Sequence, residues 1–408
     1  MTKAEKVGGS SYVTIALCFF VAILEGMDLQ SVGIAAPGMA AAFALSPSMM
    51  GAVFSASILG LLPGALGGGW LADRVGRKLV LIGAVILFGL FSIATAHAWD
   101  LNSLLAARFL TGLGLGAALP NLIALSAEAA DIRSRGTAVS VMYCGVPLGG
   151  ALAALVNMAG FSGGWKVVFY VGGIAPLLLV PILWLFLAES SAFRKHQGRQ
   201  AASPLAARAS LWNCLFSNGA AMPTLLLWVS YFFTLMVVYM LLNWLPSLLV
   251  GQGFSRPQAG IVQILFNIGG GIGSLLMGLL LDRWRPLGLV ALTYAGILAA
   301  LAGLGMSSSF ESMMLAGFAA GFFAIGGQLV LYALAPLFYP TEVRGTGVGS
   351  AVAVGRLGAM SGPLVAGQML AMGTGAAGLL LASAPGIVVA AGAVFYLLGQ
   401  RRAEAVTA

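Results

Sequence analysis

Charge is what this chain of 408 residues has least of: 8% of its positions are Asp, Glu, Lys or Arg, whereas 60% are hydrophobic. Mean hydropathy is +0.99. Soluble domains carry about a quarter charged residues, so an ordinary soluble enzyme and a disordered chain are both excluded. Cysteine is scarce as well. Cys18, Cys144 and Cys214 are scattered, an odd count without metal-type spacing, which excludes a disulfide framework and a zinc site. The two histidines, His97 and His196, lie outside the apolar runs, which argues against histidine catalysis or a metal centre. There is no phosphate-binding Gly-Lys-Ser/Thr loop and no sizeable polar domain. Neither an enzyme nor a nucleic-acid partner is expected, despite a formal charge of +8.

What remains is apolar helix. A membrane span needs roughly 20 apolar residues, and the runs between charged or turn-rich breaks predict twelve spans. They cover 12–36, 48–72, 78–96, 101–127, 136–158 and 166–188, then 223–250, 258–281, 287–306, 311–336, 345–371 and 376–399. The fold class is thus an all-α membrane protein of twelve helices in two pseudo-symmetric six-helix bundles. Residues 1–11 form a polar N-terminus, 12–188 the first bundle, 189–222 a linker, 223–399 the second bundle and 400–408 a tail. The linker holds Arg194, Lys195, Arg199 and Arg208. No small-residue cleavage site follows a short apolar core, so the first helix is read as retained.

Orientation follows from the loops. Sixteen lysines and arginines, from Lys3, Lys6, Arg74, Arg77 and Lys78 through to Arg401 and Arg402, fall on the side of the termini. Only Lys166 and Arg256 fall opposite. Cationic loops resist translocation, which puts both termini and the linker in the cytoplasm of a bacterial cell, with the bundles in its inner membrane. Lipid is the surrounding partner, and a monomer the expected state.

The two halves repeat. Asp73-Arg74 recurs as Asp282-Arg283, and Arg135-Gly136-Thr137 as Arg344-Gly345-Thr346. Both offsets are 209 residues (282 − 73 and 344 − 135). Duplicated bundles of this kind pack around a central site near the bilayer midplane. Glycine, with 57 residues, is clustered, for instance at Gly112, Gly114 and Gly116. With no preceding strand, that cluster is a helix-packing surface and no dinucleotide loop. Pro147 and Pro363 are expected to bend their helices.

The residues that carry chemistry are the charges kept inside the membrane. Each costs about 3 kcal/mol on insertion scales. Glu25 and Asp28 lie three residues apart on one face of the first helix. Arg108 lies in the fourth helix and Arg356 in the eleventh. Counting 1.5 Å per residue puts Glu25 at ~20 Å above the cytoplasmic start and Arg108 at the same height, so a Glu25–Arg108 ion pair is expected. Two carboxylates this close in a low dielectric repel, and a proton relieves them. Asp28 and Glu25 are therefore the candidate proton-coupling pair; no other cofactor and no metal is implied. Arg356, with Arg108, is a fixed cation for a substrate carboxylate. Tyr143, Tyr239, Asn243, Gln328 and Tyr332, with Gln263 and Asn267, offer stacking surfaces and hydrogen bonds to a ring-bearing ligand. Glu128, beside Asp131, Arg133 and Arg135, reads as part of an interfacial charge cluster.

The run from Gly69 to Lys78 resembles the signature loop of the major facilitator superfamily; its copy from Gly278 to Arg285 is degraded, with Trp284 in place of the expected pattern. Together with Glu25-Gly26-Met27-Asp28, Arg108-Phe109-Leu110-Thr111-Gly112 and the stretch from Gly355 to Pro363, it makes the chain similar to the aromatic acid:proton symporter family within that superfamily. Gly116 to Ser126, Tyr143 to Pro147 and Leu331 to Tyr339 resemble its 3-(3-hydroxyphenyl)propionate branch. Glu25 stands where most of the family has aspartate, a departure shared by that branch. The resemblance implies proton-coupled import of a small aromatic carboxylate, with Glu25, Asp28, Arg108 and Arg356 engaged in transport. It also implies a gate at Asp73, Arg74, Arg77 and Arg135 and at their counterparts Asp282, Arg283 and Arg344. Import of a benzoate- or protocatechuate-type acid and efflux by antiport are the alternatives.

Overall fold

The computed structural model describes residues 3–131, 134–160, 162–190, 215–216, 221–339 and 344–407. Most of the expected 189–222 linker, including Arg194, Lys195, Arg199 and Arg208, lies outside them. The chain divides into two units, Met1–Ser203 and Pro204–Ala408.

In the first unit the helices are α1 (Lys3–Phe43), α2 (Pro47–Val75), α3 (Arg77–Ala96), α4 (Leu101–Ala129), α5 (Arg135–Tyr143), α6 (Gly145–Met158) and α7 (Lys166–Phe186). The second holds α8 (Ala221–Gly251), α9 (Arg256–Arg283), α10 (Pro286–Met306), α11 (Phe310–Leu334), α12 (Arg344–Ala371), α13 (Gly375–Ala382) and α14 (Ala384–Thr407). Among the described residues these make twelve spans long and apolar enough to cross a membrane, six in each unit. The expected spans each find their counterpart, although α1 runs past 36 to Phe43.

Two spans are each built of two helices. The fifth breaks at Cys144 and the twelfth at Ser383. Pro147 and Pro385 follow these breaks, and a proline cannot donate to the carbonyl four residues earlier. By contrast α12 runs uninterrupted through Pro363.

The duplication is visible in the packing itself. A Cβ on Gly60 would strike the Phe109 carbonyl, and one on Gly269 the Phe318 carbonyl. Likewise Gly112 abuts the backbone at Ser57 and Gly321 that at Phe266; Gly149 abuts Ile23 and Gly358 abuts Phe232. Every member of each pair is 209 residues from its counterpart. Without a hydrophobic force between helices in lipid, close backbone approach is what holds such bundles. Helix starts repeat too. Ser46 caps α2 and Ser255 caps α9, while Asp100 caps α4 and Ser309 caps α11. Each side chain accepts a backbone N–H that the first turn leaves unpaired.

Candidate functional site

In the first unit, α1 brings Asp28 into a wholly buried position, and α4 brings Arg108 to meet it. The ion pair is Arg108 with Asp28, at 3.4 Å from Nη2 to Oδ2, with both side chains fully buried. The expected Glu25–Arg108 pair is therefore corrected. Side chains on a helix tilt toward its N-terminus. Successive spans run in opposite directions, so this tilt carries the Arg108 guanidinium one turn along α1, past Glu25 to Asp28. Glu25 is buried in the same region.

Hydroxyls complete the arrangement. Ser92 of α3 donates to Asp28 Oδ1 at 2.6 Å, and Arg108 Nη2 donates to Ser57 of α2 at 3.2 Å. The guanidinium also lies 5.7 Å from the ring centre of Phe169 on α7. Five helices thus converge on one pair of charges. Removing one member of such a pair costs about 3–5 kcal/mol, because the other charge is left buried alone. Sequence reasoning missed Ser92 and Ser57. The available signal was a hydroxyl inside an unbroken apolar run, as in Phe91-Ser92-Ile93.

The second unit gathers another set of the expected residues. Arg356 of α12 is half-buried and donates through Nη1 to the Tyr239 hydroxyl of α8 at 2.5 Å. Its guanidinium carbon lies 5.8 Å from that ring. On α11, Gln328 donates to the Tyr332 hydroxyl one turn on, at 2.9 Å. Tyr332 is within electrostatic reach of both Arg356 and Tyr239. Its ring packs on Tyr231, 5.6 Å between centres. The unit therefore offers a guanidinium for an anion, tyrosine faces for a ring, and amide and phenol groups for a hydroxyl. Asn243 and Asn267 spend an amide N–H on their own helices, on Tyr239 and Gln263. Tyr143 ends α5 in the first unit, half-buried.

At the loop after α2, Gly76 adopts φ +101°, a region open to glycine, and makes the tight turn into α3. Asp73 is exposed, and Arg74 stacks over Trp70 at 3.9 Å. Arg77 pairs with Glu128, whose other oxygen accepts from Ser190 at 2.5 Å. Glu128, expected in an interfacial charge cluster beside Asp131, Arg133 and Arg135, thus has Arg77 and Ser190 among its partners. Glu189 accepts from the backbone N–H groups of Arg77 and Lys78 at 2.9 and 3.1 Å, capping α3. Arg135 and Arg283 are exposed at the ends of α5 and α9. The side chains of Asp282 and Arg344, and residue Arg133, lie outside the described residues. Among the described residues, no three His, Cys, Asp or Glu side chains converge as metal ligands would.

Two bundles of six spans, each with its polar cluster inside the membrane, define a polytopic carrier, and the comparisons with known proteins place it. The Major Facilitator Superfamily pattern matches residues 18–257 and 227–408, and the chain belongs to that superfamily. It is 61% identical over 389 residues to the 3-(3-hydroxy-phenyl)propionate transporter of Escherichia coli K12, covering 95% of this chain and 94% of that protein. It is 36% identical to the 4-hydroxybenzoate transporter PcaK of Pseudomonas aeruginosa, over 91% and 89% of the two chains. Among solved structures, that of a D-xylose-proton symporter matches with a TM-score of 0.77 at 18% identity, over 93% and 96%. That likeness shows the fold alone. The chain is a multi-pass membrane transporter and not an enzyme.

Proposed function

We propose that this protein imports an aromatic carboxylate, 3-(3-hydroxyphenyl)propionate, together with a proton across the bacterial cytoplasmic membrane. In this reading it works as a monomer with both termini and the linker in the cytoplasm. The observation that carries the proposal is the half-buried Arg356 set among Tyr239, Tyr332 and Gln328, chemistry suited to a carboxylate on a hydroxylated ring. Its relatives named as transporters of aromatic acids support the same reading.

The mechanism follows from the charges. A proton entering the Glu25–Asp28 region cancels the carboxylate that holds Arg108. Arg108 then relies on Ser57 and the face of Phe169. In the second unit the substrate carboxylate replaces the Tyr239 hydroxyl as the partner of Arg356. The substrate carboxylate thereby neutralises Arg356, which lowers the cost of carrying that charge through a closed intermediate. Release inside follows from higher pH and lower substrate concentration. One proton per carboxylate is electroneutral; a second would add about 2.3 kcal/mol per 100 mV of membrane potential.

The test is uptake of labelled 3-(3-hydroxyphenyl)propionate into proteoliposomes. An imposed inward proton gradient should drive accumulation, and Asp28→Asn, compared at matched amounts of inserted protein, should abolish it. Accumulation indifferent to the gradient would sink the symport reading, and expulsion against it would favour antiport.

A further inference from the structure

Ser92 is the polar group nearest Asp28, and its surroundings give it two partners. Its hydroxyl lies 2.6 Å from Asp28 Oδ1 and 3.2 Å from the Phe169 carbonyl oxygen, and Ser92 itself is fully buried. A hydroxyl carries one proton and two lone pairs. It can donate to one of these oxygens at a time while still accepting. Arg108 approaches the other carboxylate oxygen, Oδ2, through both Nη1 and Nη2 at 3.4 Å. The two oxygens of Asp28 thus have separate jobs.

We propose that Ser92 is a positioning residue for the proton carrier, a two-way hydroxyl that satisfies Asp28 in both of its protonation states. With Asp28 ionised, Ser92 donates to Oδ1. When a proton from water binds Oδ1, that new O–H donates to Ser92 Oγ, and the Ser92 proton turns to the Phe169 carbonyl. One O–H bond breaks in the hydronium ion that delivers the proton and one forms at Asp28; none breaks at Ser92, and no heavy atom need move. Without this hydroxyl, one state or the other would leave a buried oxygen or O–H unanswered, which is costly in a low dielectric. The inference rests on the reading of Asp28 as proton carrier.

Other charges bear on the same carboxylate. Glu25 lies one turn earlier on α1, and Arg108 faces it from α4. On α5 the charged Arg135 is exposed and Tyr143 is half-buried, as is Cys144 just beyond its end. The titratable groups of α7 are Lys166 and Tyr170, and Tyr170 contacts exposed His97 beyond the end of α3. From α2 the facing group is Ser57, and from α7 the aromatic Phe169 and Gly172, none of which titrates. A Cβ on Gly172 would lie 3.4 Å from Ser92 Oγ and 3.8 Å from Asp28 Oδ1, so α7 closes directly over the pair.

The test uses full-length protein in proteoliposomes, with uptake measured against pH and with difference infrared spectra of the protonated carboxyl. Asp28→Asn identifies the Asp28 band by its loss. Ser92→Ala should displace the midpoint of the uptake profile by about one pH unit, since a bond to a charged group is roughly twice as strong as a neutral one. It should also move the Asp28 carbonyl band to higher wavenumber, as a carboxyl that has lost its hydrogen bond does. Ser92→Thr should restore both. Ser92→Cys, a weaker donor of similar size, should fall between, and carries the test should the alanine variant not insert. An unchanged profile and band in Ser92→Ala or Ser92→Cys, with Asp28→Asn inactive, would overturn the role of Ser92 alone. An Asp28→Asn variant that still accumulates substrate with protons would instead overturn the reading beneath it.

Discussion

The two halves of this chain share a scaffold and differ in chemistry. At the 209-residue offset that relates their glycine contacts and helix caps, the residues around the ion pair have apolar counterparts. Asp28 corresponds to Val237, Arg108 to Gly317, Ser92 to Leu301 and Ser57 to Phe266. In the other direction, Arg356 corresponds to Pro147, Tyr239 to Gln30, Gln328 to Leu119 and Tyr332 to Ile123. Packing was kept in duplicate because helices in lipid are held by close backbone approach, which tolerates few alternatives. The polar side chains answer to a different constraint. One half holds a sealed carboxylate and its counter-ion; the other holds a half-buried cation among phenols. The difference is what a carrier needs if proton and substrate are handled by separate halves.

The contrast can be broken or sharpened by substitution. The largest effect is expected at Arg108. Arg108→Met strips Asp28 of its counter-ion and should lower stability by about 3–5 kcal/mol, seen as an earlier thermal transition in detergent. Adding Asp28→Asn should recover most of that loss without recovering transport. A single variant as stable as the wild type would mean the pair is not sealed as described. In the second half, Arg356→Lys keeps the charge but loses the planar fork, and should raise KM for uptake roughly tenfold with stability unchanged. Gly112→Ala and Gly321→Ala should each destabilise by about 1–3 kcal/mol, since a neighbouring carbonyl must shift. Gly69→Ala, with nothing within 4 Å of the added carbon, should change nothing. Modest effects are expected at the caps, where Ser46→Ala and Ser255→Ala should cost about 1 kcal/mol each. Equal costs in both members of each pair would confirm that the scaffold is truly duplicated.

Much of this was legible beforehand, for reasons that differ by scale. Twelve spans follow from hydropathy because lipid leaves a helix no other way to satisfy its backbone. The repeat shows in sequence because Asp73-Arg74 and Arg135-Gly136-Thr137 were retained at both loops. The partner of Arg108 was not legible. Depth counted at 1.5 Å per residue separates Glu25 from Asp28 by one turn, less than the reach of an arginine side chain. Ser92 and Ser57 escaped notice since a lone serine in an apolar helix resembles ordinary packing until its neighbours are known. The partners of Glu128 came from Arg77 and Ser190, more than fifty residues away in either direction, and no local pattern announces them. The gathering of Arg356, Tyr239, Tyr332 and Gln328 from three helices was expected only as a list of residue types at bundle depth.

The division of labour between the halves is tested most directly by equilibrium binding of 3-(3-hydroxyphenyl)propionate to two purified variants, set beside their accumulation in proteoliposomes. Asp28→Asn should bind close to normally yet fail to accumulate substrate under a proton gradient, whereas Arg356→Ala should lose binding outright. Normal binding by Arg356→Ala, or proton-driven accumulation by Asp28→Asn, would contradict the account.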